Sequence, residues 1–171
     1  MNRGNYNLDY SKGFQIEQNK FEQYKPILLE TLQAKDIELI TRGMLDKISG
    51  LDATALIDGL VYGISLRFRN KDYNSFTLNR HISDPYSEVH KWLKPNETNM
   101  KPIYYIQINE RLGNSLRLIR VNIEAFSYYL QYLIKNKELE GFYREHLLAY
   151  EFPLDKLNPK YKGILNTIIN S

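Results

Sequence analysis

At 171 residues the chain fits one domain, long enough to bury a core, and its 43% hydrophobic and 25% charged residues exclude wholesale disorder. The absence of cysteine excludes disulfides, thiolate zinc sites and a cysteine nucleophile, and a net charge of +3, from 23 basic and 20 acidic residues, is too small to announce nucleic-acid binding by itself. No stretch approaches the roughly 18 apolar residues of a membrane span and the first twenty residues hold no apolar signal-peptide core, so the chain reads as soluble and cytoplasmic, with no membrane partner.

The spacing of Phe14, Phe21, Tyr24, Ile27, Leu28 and Leu32 predicts a helix over about Gln15 to Gln33. Pro26 lies inside that pattern and either kinks the helix or opens a second one. A short helix over about Ile37 to Leu45 follows, ending near Gly50. The next stretch reads as a β-hairpin: "DATALID" alternates, Asp58 and Gly59 supply the turn, and "LVYGISLRF" is rich in β-branched and aromatic residues. In that second strand Tyr62, Ile64, Leu66 and Phe68 share one face, the core face, while Gly63, Ser65, Arg67 and Arg69 share the other. A third strand, "NSFTLNR", sends Phe76 and Leu78 to one side and Thr77 and Asn79 to the other.

A helix over "SDPYSEVHKWL" takes Ser83 or Asp84 as its N-cap and Pro85 at its first position, with Val89, Trp92 and Leu93 as its apolar stripe. After a loop, "IYYIQI" reads as a central strand and "SLRLIRV" as another, joined by a turn at Gly113 and Asn114. Asn122 caps a helix over "IEAFSYYLQYLI". A further helix, "LEGFYREHLLAY", leads to a tail that forms either a last short helix or an extended strap. Strands interrupted by one helix, with helices before and after, predict an α+β (mixed α/β) fold: a central mixed β-sheet flanked by helices in a single domain, with a core over about 15–135 and a C-terminal helical extension over about 136–171.

Charge is concentrated rather than spread. Between Arg67 and Lys94 the chain carries Arg67, Arg69, Lys71, Arg80, Lys91 and Lys94 against Asp72, Asp84 and Glu88. Such a basic segment suits a phosphate-facing surface or a solvated rim. Asp58 is explained by the hairpin turn, whereas Asp52, at the start of a strand, is placed to offer a hard oxygen ligand to a divalent ion. Ser65, Arg67 and Arg69 would then present a hydroxyl and two cations to a phosphate beside it. His81, His90 and His146 are scattered, and no phosphate-binding loop, GxGxxG turn, HExxH or GxSxG motif is present. The tyrosines of "IYYIQI" and "FSYYLQYL" fit core and half-buried surface.

The run "GLDATALIDG", "GISLRFRN", "YNSFTLNR", "SEVHKWL" and "IYYIQI", from about Gly50 to Ile108, resembles the core of PD-(D/E)XK (restriction-endonuclease-like) nuclease-fold proteins of phage or mobile-element type. That family carries an acidic residue on the first hairpin strand, Glu or Gln followed two residues on by Lys or Arg on the second, a strand of the "FTIR" sort, and a helix with Glu near its start. The matching positions are Asp52, Ser65 and Arg67, Phe76 to Arg80, and Glu88. The resemblance implies metal-dependent phosphodiester hydrolysis, with Asp52 as metal ligand for Mg²⁺ or Mn²⁺, Asp52, Ser65 and Arg67 as the catalytic set, and Arg67, Arg69, Lys71, Arg80 and Lys91 on nucleic acid. Glu22 or Glu30 would supply the acidic residue that active members carry on the preceding helix.

Two positions depart from the family pattern. Serine binds Mg²⁺ poorly, and arginine stays protonated and cannot serve as a base. The sequence therefore admits a nuclease with a rearranged metal site, or a catalytically lapsed protein that binds nucleic acid or a host defence protein as inhibitor or adaptor, in the host cytoplasm if viral. A homodimer through the aromatic helix Ile123 to Ile134 suits either reading.

Overall fold

The computed structural model describes residues 5–40, 51–93, 102–110, 115–157 and 165–170, the side chains of 5–14 and 165–170 excepted. In chain order these form helix α1 (Asn5–Leu32), strands β1 (Asp36–Leu39), β2 (Ala53–Ile57), β3 (Leu60–Arg69) and β4 (Ser75–Asn79), and helix α2 (Glu88–Leu93). Strands β5 (Tyr104–Glu110) and β6 (Leu116–Asn122), helix α3 (Ile123–Lys135), short strands β7 (Tyr143–Arg144) and β8 (Ala149–Pro153), each entered through a 3₁₀ turn, and β9 (Leu165–Asn170) complete the fold. The class is α+β, as the sequence predicts.

Six strands make one mixed sheet in the order β1-β2-β3-β5-β6-β9, antiparallel except where β3 and β5 run parallel. β4, β8 and β7 form a separate antiparallel sheet. Hairpin β2–β3 closes with Ile57 opposite Leu60, and the intervening Asp58 and Gly59 both take positive φ, 51° and 80°. That is the type I′ geometry for which an Asp-Gly pair is suited.

The large sheet buries both faces, because successive side chains on a strand alternate. Phe21, Tyr24, Leu28 and Leu32 of α1 pack on Ile37, Ala53, Ala55, Ile64, Ile106, Ile108 and Leu118. On the opposite face Tyr105, Ile119 and Val121 meet Phe76 and Leu78 of β4, Val89 and Trp92 of α2, Phe126, Leu130 and Leu133 of α3, and Tyr150 and Phe152 of β8. The apolar stripe of α3 is thus consumed by its own core, leaving Tyr128 and Tyr132 exposed on the other side. Asn122 caps α3 as expected, its Oδ1 accepting the Ala125 N–H at 2.9 Å.

Several expected elements differ. α1 starts ten residues before the predicted boundary and runs through Pro26 as one helix; Pro26 is exposed, so water can reach the carbonyl its missing N–H leaves unpaired. The short helix expected from Ile37 is β1, whose four residues align with Ala53 to Leu56 of β2, and the Ile40 N–H still donates to the Asp52 carbonyl at 2.9 Å; residues 41–45 of that expected helix lie outside the described residues. The helix expected over "LEGFYREHLLAY", and with it the helical character of the C-terminal extension, is replaced by 3₁₀ turns, β7 and β8, because β4 is an unpaired edge that β8 completes. Within the tail, Leu165–Asn170 is a strand on the β6 edge, so the extended alternative holds there. Helix α2 begins at Glu88 rather than at Ser83 or Asp84. Ser87 Oγ accepts the His90 N–H at 3.3 Å, and Asp84 instead closes a turn. The turn at Gly113 and Asn114 lies outside the described residues. Among those residues no helix is long and apolar enough to cross a membrane.

Candidate functional site

The parallel pairing of β3 with β5 sets Ser65 beside Tyr105, Arg67 beside Gln107 and Arg69 beside Asn109. Two polar half-faces therefore merge into one, and β4 lies across it. Tyr105 Oη lies 3.1 Å from the Thr77 carbonyl and 2.9 Å from Gln107 Oε1, its one proton shared between the two acceptors. Gln107 Nε2 donates to the Ser75 carbonyl and to Asn109 Oδ1, both at 2.9 Å, and Asn109 Nδ2 donates to the Tyr73 carbonyl at 2.8 Å. Side chains of β5 thus satisfy the carbonyls along the β4 edge that faces away from β8. Burial pushes the Tyr105 hydroxyl up to about 12, so it remains a donor. This ladder was legible as the alternation Tyr105, Gln107, Asn109 against Ile106 and Ile108, which reading "IYYIQI" as simply apolar passes over.

Asp52 is set in place by its predecessor. Leu51 lies against Gly63, where a Cβ would come within 2.1 Å of Leu51 Cδ2, so only glycine lets Leu51 rest there. The Asp52 N–H then donates to the Ile64 carbonyl at 2.9 Å. Its carboxylate turns onto β3, where Oδ2 accepts the Ser65 hydroxyl at 3.1 Å and the Leu66 N–H at 2.7 Å.

Arg67 is only 14% exposed, and so is its partner Glu88. Its Nη2 donates to both Glu88 oxygens at 3.1 and 3.2 Å, while Nη1 donates to Thr77 Oγ1 at 3.0 Å and Asn79 Oδ1 at 2.8 Å. Burial works against the charged guanidinium, but Tyr105, Glu88 and Asp52 outweigh it and hold Arg67 above its ordinary value. The Asn79 N–H also donates to Glu88. The cation-bearing strand and the helix glutamate, which nothing in the sequence singles out as partners, thus form a fully committed strut, and Arg67, expected on a phosphate, has little left to offer one. Arg69 donates to Thr77 Oγ1 at 2.6 Å and finds no carboxylate among the described residues.

These groups line a cleft of about 1160 Å³. One wall is α1, through Ile16, Glu17 and Lys20; the floor is Asp52 and Ser65 to Asn70; the far wall is Asn79, Arg80, Tyr86, Glu88 and Lys91. The cleft brings together Asp52, Ser65, Arg67, Arg69, Arg80 and Lys91, all expected site residues. Lys71 is exposed in the turn after β3 and is not among the lining residues. Glu22 and Glu30 are also exposed and away from the lining; the α1 carboxylate on the cleft is Glu17, one turn and more earlier. Lys20 is held by Glu110, which Tyr24 Oη also meets at 3.0 Å, and the lysine hydrogen bond keeps the Glu110 carboxyl below its usual range. Arg80 pairs with Asp84 at 3.0 Å. Lys91, like Arg69, has no carboxylate partner among the described residues.

As a divalent-ion site this donor set is a poor match. Asp52 Oδ2 already accepts two hydrogen bonds, Ser65 stands where a second carboxylate would help, and Glu88 is taken by Arg67. Among the described residues no three His, Asp or Glu side chains gather as a metal-holding group. His81 is not isolated: its ring bridges Ser83 Oγ at 2.8 Å and the Glu140 carboxylate at 3.1 Å and stacks on Tyr150, tying the loop before α2 to the 3₁₀ turn after α3. No family model matches the chain, and no curated protein matches it.

Proposed function

We propose that the protein binds nucleic acid through its phosphate backbone in this cleft, and does so without hydrolysing it. The observation that carries the reading is the pair of cations, Arg69 and Lys91, that line the cleft with no carboxylate of their own among the described residues. A half-buried cation without a counter-charge is stabilised when an anionic ligand supplies one. The other lining cations already face carboxylates: Lys20 on Glu110, Arg67 on Glu88 and, at the surface, Arg80 on Asp84. The same geometry supports binding without hydrolysis: a permanently charged arginine cannot deprotonate water, and the carboxylate beside it is engaged by β3.

The test is fluorescence anisotropy with a labelled oligonucleotide across a salt series. Affinity is expected to fall as salt rises, and Arg69→Gln or Lys91→Gln is each expected to weaken binding on every sequence and flatten the logarithmic salt slope by about 1. A salt slope unchanged in both variants would sink the reading. A second reading, cleavage with Mg²⁺ or Mn²⁺, is favoured by the convergence of Asp52, Ser65, Arg67 and Glu88 on one cleft. Cutting that requires the metal and disappears in Asp52→Ala would establish it in place of the first.

A further inference from the structure

We infer that the cleft takes single-stranded rather than duplex nucleic acid, with Tyr86 as the platform on which an unpaired base stacks; this rests on reading the cleft as a nucleic-acid interface. Tyr86 lines the cleft, yet it is 62% exposed. Among the described residues its ring has neither an aromatic neighbour nor a hydrogen-bond partner, whereas most aromatic side chains of this fold pack on one another. A ring this open leaves most of its surface to a ligand.

Its backbone, by contrast, is fixed on both sides. The Tyr86 N–H donates to Asp84 Oδ1 at 2.8 Å, and Asp84 Oδ2 is held by Arg80 at 3.0 Å. Pro85 fixes its own φ. The next residue, Ser87, is wholly buried, donates its N–H to the Asp84 carbonyl at 3.0 Å and caps α2. The turn therefore loses little entropy when a ligand meets the ring, which is the condition for a stacking contact to yield affinity. Lys91, on the helix that this turn begins, lines the same cleft and offers a cation to the adjoining phosphate.

A duplex keeps its base faces inside the stack and shows the protein only backbone and groove edges. A single strand offers both the phosphates that Arg69 and Lys91 suit and the π-face that Tyr86 suits, and stacking of this kind tolerates any sequence. The combination of an open ring on a fixed turn with cations in one cleft thus favours the single strand over a protein or duplex occupant.

The full chain is titrated against single-stranded and duplex oligonucleotides of one sequence, as wild type, Tyr86→Ala, Tyr86→Phe and Lys91→Gln, with circular dichroism confirming that each variant folds. The wild type is expected to prefer the single strand. Tyr86→Ala is expected to weaken single-strand binding by roughly 5- to 150-fold and so narrow that preference, while Tyr86→Phe keeps it, since the ring and not the hydroxyl is used. If Lys91→Gln weakens binding but Tyr86→Ala does not, the stacking inference falls and the cleft reading survives. Equal affinity for both forms likewise overturns it. If the wild type binds neither oligonucleotide at low salt, the cleft reading falls and this inference with it.

Discussion

Arg67→Met is expected to destabilise the fold by about 3–5 kcal/mol, the range for removing one partner of a buried ion pair. The cost arises less from the arginine's lost bonds than from what it leaves behind. Glu88 is 14% exposed, and without the guanidinium its carboxylate would keep the Asn79 N–H but no compensating charge. Glu88→Leu should be damaging for the mirror reason, because Arg67 would remain charged beside Tyr105 with only Thr77 and Asn79 as acceptors. The double variant Arg67→Met, Glu88→Leu removes both charges together and is expected to recover most of the loss, since apolar replacement of a whole buried pair is often close to neutral. Urea denaturation of the four proteins measures this as a double-mutant cycle. Additive losses would mean that the two side chains do not act as a unit, and a loss below about 1 kcal/mol for Arg67→Met would mean that the pair behaves like a solvent-screened surface bridge.

That result would also separate structure from recognition within one strand. Arg67 and Arg69 are two residues apart on the same face and look equivalent in the sequence, yet one is consumed by a helix glutamate and the other is not. Sequence alternation places both on the polar face; only the position of α2 decides between them. The same limit governs the rest of the fold. The Asp58–Gly59 turn, the two faces of β3 and the Asn122 cap were legible because each depends on residues a few positions apart. β1 and β8 were not, because a four-residue segment such as "DIEL" or a mixed one such as "LLAYEF" has no decisive period of its own. Their state is chosen by partners elsewhere: β8 pairs with β4, so that Ser75 meets Pro153 and Asn79 meets Ala149. At the site, the family resemblance singled out Asp52, Ser65, Arg67 and Glu88, which do line one cleft. On α1 it offered Glu22 or Glu30 and passed over Glu17, which lines the cleft, since helical spacing alone does not say which face meets the cleft. Nor did it flag Tyr86, whose significance lies in being left uncovered.

Gln107→Leu is expected to cost about 2–4 kcal/mol although it adds no charge and changes little volume. Gln107 is essentially inaccessible to water, and its amide makes three hydrogen bonds: it accepts from Tyr105 and donates to the Ser75 carbonyl and to Asn109. Leucine leaves the Ser75 carbonyl without its β5 donor and takes one partner each from Tyr105 and Asn109. Each buried polar group left short costs about 1–3 kcal/mol, and the members of such a chain do not add independently. Tyr105 retains the Thr77 carbonyl and Asn109 retains the Tyr73 carbonyl, which holds the total below a simple sum. The damage should be local before it is global. β4 shares backbone pairing with β8 and not with the large sheet, so this ladder is what fastens the small sheet to β5 beyond apolar contact. Hydrogen exchange should therefore quicken in β4 and β8 more than across β2 and β3, and uniform loss of protection would show that the two sheets open only together. A functional effect follows from the same attachment. Thr77 Oγ1, on β4, accepts from both Arg67 and Arg69. Loosening β4 should thus unseat Arg69 and weaken oligonucleotide binding in a variant altered 0 places within the cleft lining, whereas unchanged binding would show that Arg69 holds its position without Thr77.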